Sequence, residues 1–503
     1  MSLSIVYSRA RVGVSSPLVT VETHISNGLP SLSIVGLPET AVKESKDRVR
    51  SALINSGFDF PTRRVTINLA PADLPKEGGR YDLAIALGIL AASHQLPMEP
   101  LDKREFIGEL ALTGELRGVQ GCLPAAMACG KEGRTLYVPT ANCEEASLCK
   151  TTRMLAARHL LDVCSDIKEQ AKLSEIVFDE QCITRKPTAD LSEVKGQFLA
   201  RRALEIAAAA GLNLLFYGPP GTGKSMLASR LPGILPGLTE AESLEVAAIH
   251  SISGRALDIS TWGQRPFRTP HHTASAVALV GGGSSPKPGE ITLAHNGVLF
   301  LDELPEYSRK VLEVLREPLE SGQISISRAA SQITFPARFQ LIAAMNPCPC
   351  GYHGHPSIEC TDTPLQVAKY RQKLSGPLLD RFDLHVEVPA QSGDVLVRKT
   401  LNTESSETVK ARVLKAREMQ YQRSGKANRE LSGSELEEVC QLNEQSRALL
   451  EGAMNRLGLS ARAFHRVLRV ARTIADLQQV DKVSTQHITE ALGYRKLDRR
   501  TTS

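Results

Sequence analysis

The residues best suited to chemistry sit in one glycine-rich turn, Gly218-Pro219-Pro220-Gly221-Thr222-Gly223-Lys224-Ser225. An apolar run (Leu212, Leu214, Leu215, Phe216) leads into it and a helical signal, Met226–Leu231, follows. The spacing Gly218–x4–Gly223–Lys224–Ser225 is that of a P-loop. Glycines let the backbone curl so that its N–H groups face a phosphate, and the next helix adds its positive dipole end. Lys224 is then expected to reach the β- and γ-phosphates of ATP, and Ser225 to ligate Mg²⁺. Further on, the apolar strand Gly297–Leu301 ends in Asp302-Glu303. Asp302 is the expected Mg²⁺ partner and Glu303 the group that polarises the attacking water; an ordinary acidic helix start is the bland alternative. Leu341–Asn346 is another apolar strand, ending in an amide. Asn346 could hold the lytic water, although an Asn at a strand end also commonly forms a turn.

Two arginines bear on hydrolysis, Arg381 in Ser375–Leu384 and Arg462 in Ser460–Leu468. Either could be a surface residue in a weak ion pair. A guanidinium on the transferred phosphoryl group accelerates transfer about 10³–10⁵-fold, often from a neighbouring subunit, which points to a ring. Cys348-Pro349-Cys350-Gly351 and Cys360 lie in a Gly/Pro-rich loop beside His353, His355 and Asp362. Thiolates with a fourth ligand fit structural Zn²⁺; free thiols are the alternative.

These residues need a scaffold, and 503 residues suffice for about three domains. The pattern predicts an α/β multidomain chain. Residues 1–170 read as mixed short strands (Val19–Ile25, Arg64–Leu69, Leu136–Val138) and helices (Glu39–Ser56, Asp82–His94). A polar linker over 171–190 leads to a nucleotide-binding α/β unit over 191–390. From 391 to 503 helical spacing dominates: Val395–Thr400, Ser405–Gly425, Gly433–Gly458, Ser460–Leu477 and Ser484–Leu492. Net charge is +5, but 391–503 alone holds 20 Lys and Arg against 14 Asp and Glu. That excess leans toward a polyanionic partner, although basic helical faces are also simply solvated. No secretory signal and no apolar run of ~18 residues is evident, so a cytoplasmic protein without membrane partners is expected. Ten scattered cysteines accord with a reducing compartment.

Gln323–Phe335 has the alternating pattern of a hairpin, placed directly before the strand that ends in Asn346. A second insertion, Leu238–Gly283, carries His271-His272, for which a structural or pore-loop role is expected in preference to metal binding.

Taken together, the segments YGPPGTGKS (217–225), RPFRTPHHTAS (265–275), GEITLAHNGVLFLDELPEY (289–307), MNPCPCG (345–351), YRQKLSGPLLDRFDLHVEV (370–388) and LSARAFHRVLRVARTIADL (459–477) resemble the YifB/ComM family of magnesium-chelatase-like AAA+ ATPases. The resemblance covers nearly the whole chain. It implies a nucleotide loop at 218–225, a Walker B strand at 298–303, sensor 1 at Asn346, an arginine finger at Arg381 and sensor 2 at Arg462. It implies a homo-hexamer with nucleotide between subunits, so that Arg381 acts in trans, and a helical lid at the C-terminus. It further implies a helicase that drives branch migration on single-stranded and branched DNA in homologous recombination during natural transformation, with recombination proteins as partners. The alternative is a chelatase-type motor that remodels a protein. By similarity to MCM-type helicases of the same clade, the 323–335 hairpin grips DNA, with Arg328 as the candidate contact. Many members of the family show a fourth Cys two residues after the third; here Asp362 stands there, so a Zn²⁺ set of Cys348, Cys350 and Cys360 is complete only if Asp362, His353 or His355 substitutes. Residues 1–170 resemble the Lon protease domain through 70–90 and 106–121. The positions of its Ser and Lys dyad correspond to Arg80 and Leu123, neither of which can serve. A scaffold or DNA-binding role remains for this domain, with Lys43, Lys46, Arg48, Arg50, Arg63 and Arg64 as basic candidates.

Overall fold

The computed structural model describes residues 2–37, 39–179, 188–255, 257–283, 286–328, 331–391, 403–495 and 497. The N-terminal part is built on strands β1 (Ser2–Arg9), β2 (Leu18–Ser26), β3 (Ser31–Val35), β4 (Arg64–Ala70), β5 (Arg104–Phe106), β6 (Thr135–Pro139) and β7 (Met154–Ala157). Their order in one sheet is β3-β4-β2-β1-β5-β6-β7. β2 runs antiparallel to β1 and β4, and the other neighbours are parallel. In β2 the alternation is regular, with Val19, Val21, Thr23 and Ile25 inward, as expected of a strand with one covered face. Of helices α1 (Ser45–Asn55), α2 (Asp82–Ala92) and α3 (Cys122–Lys131), α2 is buried over its whole length. An apolar helix of that kind has no polar face to offer water and must lie inside the core. The helix expected over Glu39–Ser56 is broken at Glu44 into Thr40–Lys43 and α1.

The second part contains α4 (Phe198–Ala210), β8 (Leu214–Tyr217), α5 (Lys224–Ile234), α6 (Glu240–Ile252), β9 (Phe267–Arg268), α7 (Ala276–Val280), β10 (Val298–Leu301), the hairpin β11 (Gln323–Arg328) and β12 (Ser331–Pro336), β13 (Gln340–Met345) and β14 (Leu384–Glu387). Five of these strands form a parallel sheet, β9-β10-β13-β8-β14. β10 and β13 are buried at every position, which is why their sequences read as continuous apolar runs. Because crossovers return each strand in the same direction, all the strands discharge at one edge, and their following loops meet there. Part of the stretch read as an insertion, Leu238–Gly283, is thus sheet: Phe267–Arg268 pairs with Val298–Leu299.

The third part holds α8 (Ser406–Ser424), α9 (Gly433–Cys440), α10 (Glu444–Leu457), α11 (Ala461–Leu477) and α12 (Thr485–Gly493). The single helix expected over Gly433–Gly458 is two. Gln441 takes a left-handed conformation (φ +42°), and the Asn443 side chain caps the next helix by accepting the Ser446 N–H, so chain direction resets between them. Val395–Thr400 lies outside the described residues. One apolar core joins the sheet to these helices, running from Leu204, Leu214 and Phe216 to Val413, Val467 and Ile474.

Candidate nucleotide site and its opposite edge

The carboxyl edge of the sheet gathers Lys224, Ser225, Asp302, Glu303 and Asn346 of the sequence-nominated residues. β8 ends at Tyr217 and α5 begins at Lys224, leaving Gly218–Gly223 as the loop between them. A Cβ on Gly218 would stand 2.2 Å from the Val388 carbonyl, and Gly223 has φ +88°, so glycine is required at both places. Lys224 is buried. Its ammonium donates to the carbonyls of Gly218 (2.8 Å) and Pro219 (2.7 Å) and to Asn346 Oδ1 (3.1 Å). Burial pulls its pKa down to about 8, against the opposing pull of Asp302 and Glu303. A buried ammonium with carbonyl partners, over a loop of left-handed glycines and at a helix start, is the donor set a polyphosphate needs. The Ser225 hydroxyl donates to Asp302 Oδ2 at 2.5 Å, which places a neutral oxygen and a carboxylate together, as Mg²⁺ requires.

Glu303 follows in a left-handed backbone conformation (φ +51°), its N–H donating to Asp302 Oδ1 at 3.0 Å. Its half-exposed carboxylate meets His272 Nδ1 at 3.2 Å. Sequence pattern does not single this partner out: it gives the His271-His272 pair a structural or pore-loop role. The available signal was position: His272 follows β9, and β9 flanks the strand that ends in Asp302-Glu303.

Arg381 lies elsewhere. Its carbonyl accepts from Asn213 Nδ2 at 2.9 Å, and Asn213 immediately precedes β8. Arg381 is therefore anchored at the amino end of the strand whose carboxyl end carries the phosphate loop, a span of roughly 13 Å. Its buried guanidinium pairs with Glu320 and donates to the Pro377 carbonyl at 2.7 Å, while among the described residues Nε has no partner. Burial lowers its pKa, with the nearby positive charges of Arg462, Arg316 and Arg466 adding to the effect after the opposing pull of Glu320. Exposed Arg462 thus shares the Arg381 edge. Arg466 ties this edge to α11 through the Arg381 carbonyl (3.2 Å) and Asp383 (2.7 Å). The structure brings together Lys224, Ser225, Asp302, Glu303 and Asn346, and separately Arg381 and Arg462.

Just beyond Asn346, the sulfurs of Cys348, Cys350 and Cys360 lie 3.4, 3.5 and 3.7 Å apart. Asp362 completes a set whose ligand atoms are all within 4.8 Å, while its Oδ2 accepts the Cys350 N–H at 2.7 Å. Tetrahedral Zn–S bonds of about 2.3 Å would separate thiolates by roughly 3.8 Å, so the donors fit. This loop abuts the phosphate loop: a Cβ on Gly351 would come 2.7 Å from Pro220. In the hairpin, Arg328 pairs with Ser331 along the backbone at the tip; its side chain lies outside the described residues. Among the described residues no helix is long and apolar enough to cross a membrane.

Three family models match in succession: "Subunit ChlI of Mg-chelatase" over 21–142, "Magnesium chelatase, subunit ChlI" over 190–396, and "Magnesium chelatase, subunit ChlI C-terminal" over 403–495. The chain is 54% identical to "Competence protein ComM" of Haemophilus influenzae, over 99% of this chain and 98% of that protein. It is 53% identical to "Uncharacterized protein YifB" of Salmonella typhimurium over the same shares. A partial similarity, 26% over 40% of this chain and 25% of the relative, reaches "Maternal DNA replication licensing factor mcm6" of Xenopus tropicalis. With an ATPase core of this kind and full-length identity above half, the chain belongs to the YifB/ComM family of magnesium-chelatase-like AAA+ ATPases.

Proposed function

We propose that the protein is a cytoplasmic, hexameric, ATP-driven DNA translocase that promotes branch migration when recombination joints are extended during natural transformation, alongside recombination proteins. The observation that carries the motor reading is the split between the two edges of the sheet. Lys224, Ser225, Asp302, Glu303 and Asn346 share one edge, and Arg381 is anchored at the other through Asn213. A phosphate contacted by Arg381 then belongs to another copy, and a head-to-tail contact of that kind gives a ring when its rotation closes. The DNA reading is supported by the competence protein among the full-length relatives, by the partial similarity to a replication licensing factor, and by the hairpin set between β10 and β13.

ATP with Mg²⁺ supplies, when bound, the phosphoanhydride whose cleavage drives the motor. Lys224 exchanges its carbonyl partners for phosphate oxygens, and Ser225 with Asp302 holds the cation. Glu303 takes the proton of the attacking water, which Asn346 orients. Arg381 of the adjacent copy leaves Glu320 and neutralises charge on the transferred group. Arg328, at the hairpin tip, is assigned to the DNA backbone. The cysteine loop is assigned a structural Zn²⁺ held by Cys348, Cys350, Cys360 and Asp362. The N-terminal part is assigned a Lon-protease-like fold without the dyad.

The competing reading, a chelatase-type motor that remodels a protein partner, has the family models' own description in its favour. One experiment separates the two: ATP-dependent branch migration of a labelled three- or four-stranded junction, with Lys224→Ala as the paired control. Migration by the wild type and none by the variant is expected. No migration, with ATP hydrolysis indifferent to DNA, would move the assignment to a protein client.

A further inference from the structure

The N-terminal part meets the ATPase core at two seams. At the first, Leu123, one of the two positions where the Lon resemblance would put the dyad, is fully buried in a cluster with Cys122, Ala126 and Ala247 of α6. The Leu123 N–H donates to Glu145 Oε1 at 2.8 Å, and the same oxygen accepts the hydroxyl of Ser251 in α6. The Gly121 N–H donates to the Ser251 carbonyl at 3.2 Å. Arg80, the other dyad position, is buried beside it, its Nη1 3.5 Å from the Gln120 carbonyl. Where a protease would hold the lysine of its dyad, this chain seats a helix of its own ATPase core.

The second seam is the tight turn after β1. Val12 and Ser15 exchange backbone hydrogen bonds at 3.0 Å around Gly13, which has φ +58°. A Cβ on Gly13 would lie 2.8 Å from Ile333 Cγ2 in β12. Val14 packs against the cluster that contains Ile324, Ile326, Ile333 and Phe335, the inward face of the hairpin. Leu279 of α7 belongs to the same cluster, and Ala274 and Ala276 pack on it. That segment begins two residues after His272, the partner of Glu303. A two-stranded hairpin is marginally stable alone, so one that transmits force needs a rigid backing.

We infer that the N-terminal domain is a brace that holds helix α6 and the hairpin β11–β12 as one body, and that the surface corresponding to the protease dyad has become its seat for the ATPase core. The consequence for coupling rests on the DNA-motor reading; the bracing itself does not. Movement at Glu303 and His272 reaches the hairpin root through α7, and the brace keeps the hairpin from yielding instead of advancing.

The test uses full-length Gly13→Val, which places a branched side chain at a left-handed position against Ile333. Hydrogen exchange of the Gln323–Phe335 amides is expected to quicken about tenfold while β8, β10 and β13 keep their protection. Basal ATP hydrolysis is expected to stay within about twofold of wild type, while its stimulation by DNA is lost. Glu145→Gln, at the α6 seam, is the milder second variant and carries the test if Gly13→Val does not fold; it is expected to loosen α6 and the hairpin together. Hairpin amides as protected as in wild type in the variants that fold, or a loosening spread over the whole chain, would overturn the brace. A wild type whose ATPase ignores DNA, with a hairpin that still loosens in Gly13→Val, would sink the motor reading and leave the brace standing.

Discussion

Lys224 carries a buried positive charge whose hydrogen-bond partners are two carbonyls and an amide oxygen. Burial lowers its pKa from 10.5 to about 8. The folded protein therefore binds fewer protons than the unfolded chain between about pH 8 and 10.5, and this group favours folding progressively as pH rises through that window. Nucleotide binding runs the other way, because a neutral amine loses its attraction for phosphate. Affinity for a non-hydrolysable ATP analogue, measured by calorimetry, is expected to fall as pH rises from about 7 to 9, and Lys224→Arg is expected to flatten that slope. Parallel curves would show that Lys224 does not titrate there. His272 makes a different demand. It holds Glu303 by a 3.2 Å contact, and a misplaced base costs rate without costing affinity. His272→Ala is expected to lower kcat for ATP about tenfold with KM nearly unchanged, and a change in KM alone would remove His272 from the positioning of Glu303.

Among the elements, the phosphate loop, the strand ending in Asp302-Glu303 and the strand ending in Asn346 were legible because each is a local spacing: an apolar run buried on both faces, then a polar group at its end. The Glu303–His272 and Arg381–Glu320 pairs were not, since each joins residues far apart in sequence and depends on which strand lies at the sheet edge. The break of Gly433–Gly458 at Gln441 escaped the pattern too, because apolar spacing continues across it while the backbone reverses hand. The cysteine loop sits between these cases. Its spacing suggested a metal, and the structure adds the sulfur distances and the contact of Gly351 with Pro220. A metal there would brace the phosphate loop from behind. Purified protein is expected to release about one equivalent of Zn²⁺ on thiol modification, Cys360→Ser to release none, and Asp362→Cys to retain it against stronger chelators. Loss of the metal is expected to weaken nucleotide binding, because Pro220 loses its support. Full Zn²⁺ content in Cys360→Ser would assign the metal to other ligands.

At the scale of the whole molecule, the proposed trans role of Arg381, drawn from its edge-to-edge separation from Lys224, would make each chain half of two sites. If the phosphates on Lys224 are met by Arg381 of the next copy, two defective chains can supply one intact site between them. Lys224→Ala retains its arginine and Arg381→Ala retains its phosphate loop, so each alone has no complete interface. In an equal mixture, about one interface in four joins an intact loop to an intact arginine. ATPase activity is expected to be near background for either variant and to recover partially on mixing under conditions that let subunits exchange. If Arg381 served its own nucleotide, every chain in the mixture would carry a defect at its own site and mixing would restore nothing. Glu320 refines the test: its carboxylate pairs with Arg381, so a trans arginine would exchange that ion pair for a phosphate on docking. Glu320→Gln weakens the competitor without touching either loop, and is expected to promote nucleotide-dependent assembly at lower protein concentration in sedimentation. The same variant added to Lys224→Ala should raise recovery in the mixture, because that chain is the one that contributes the arginine.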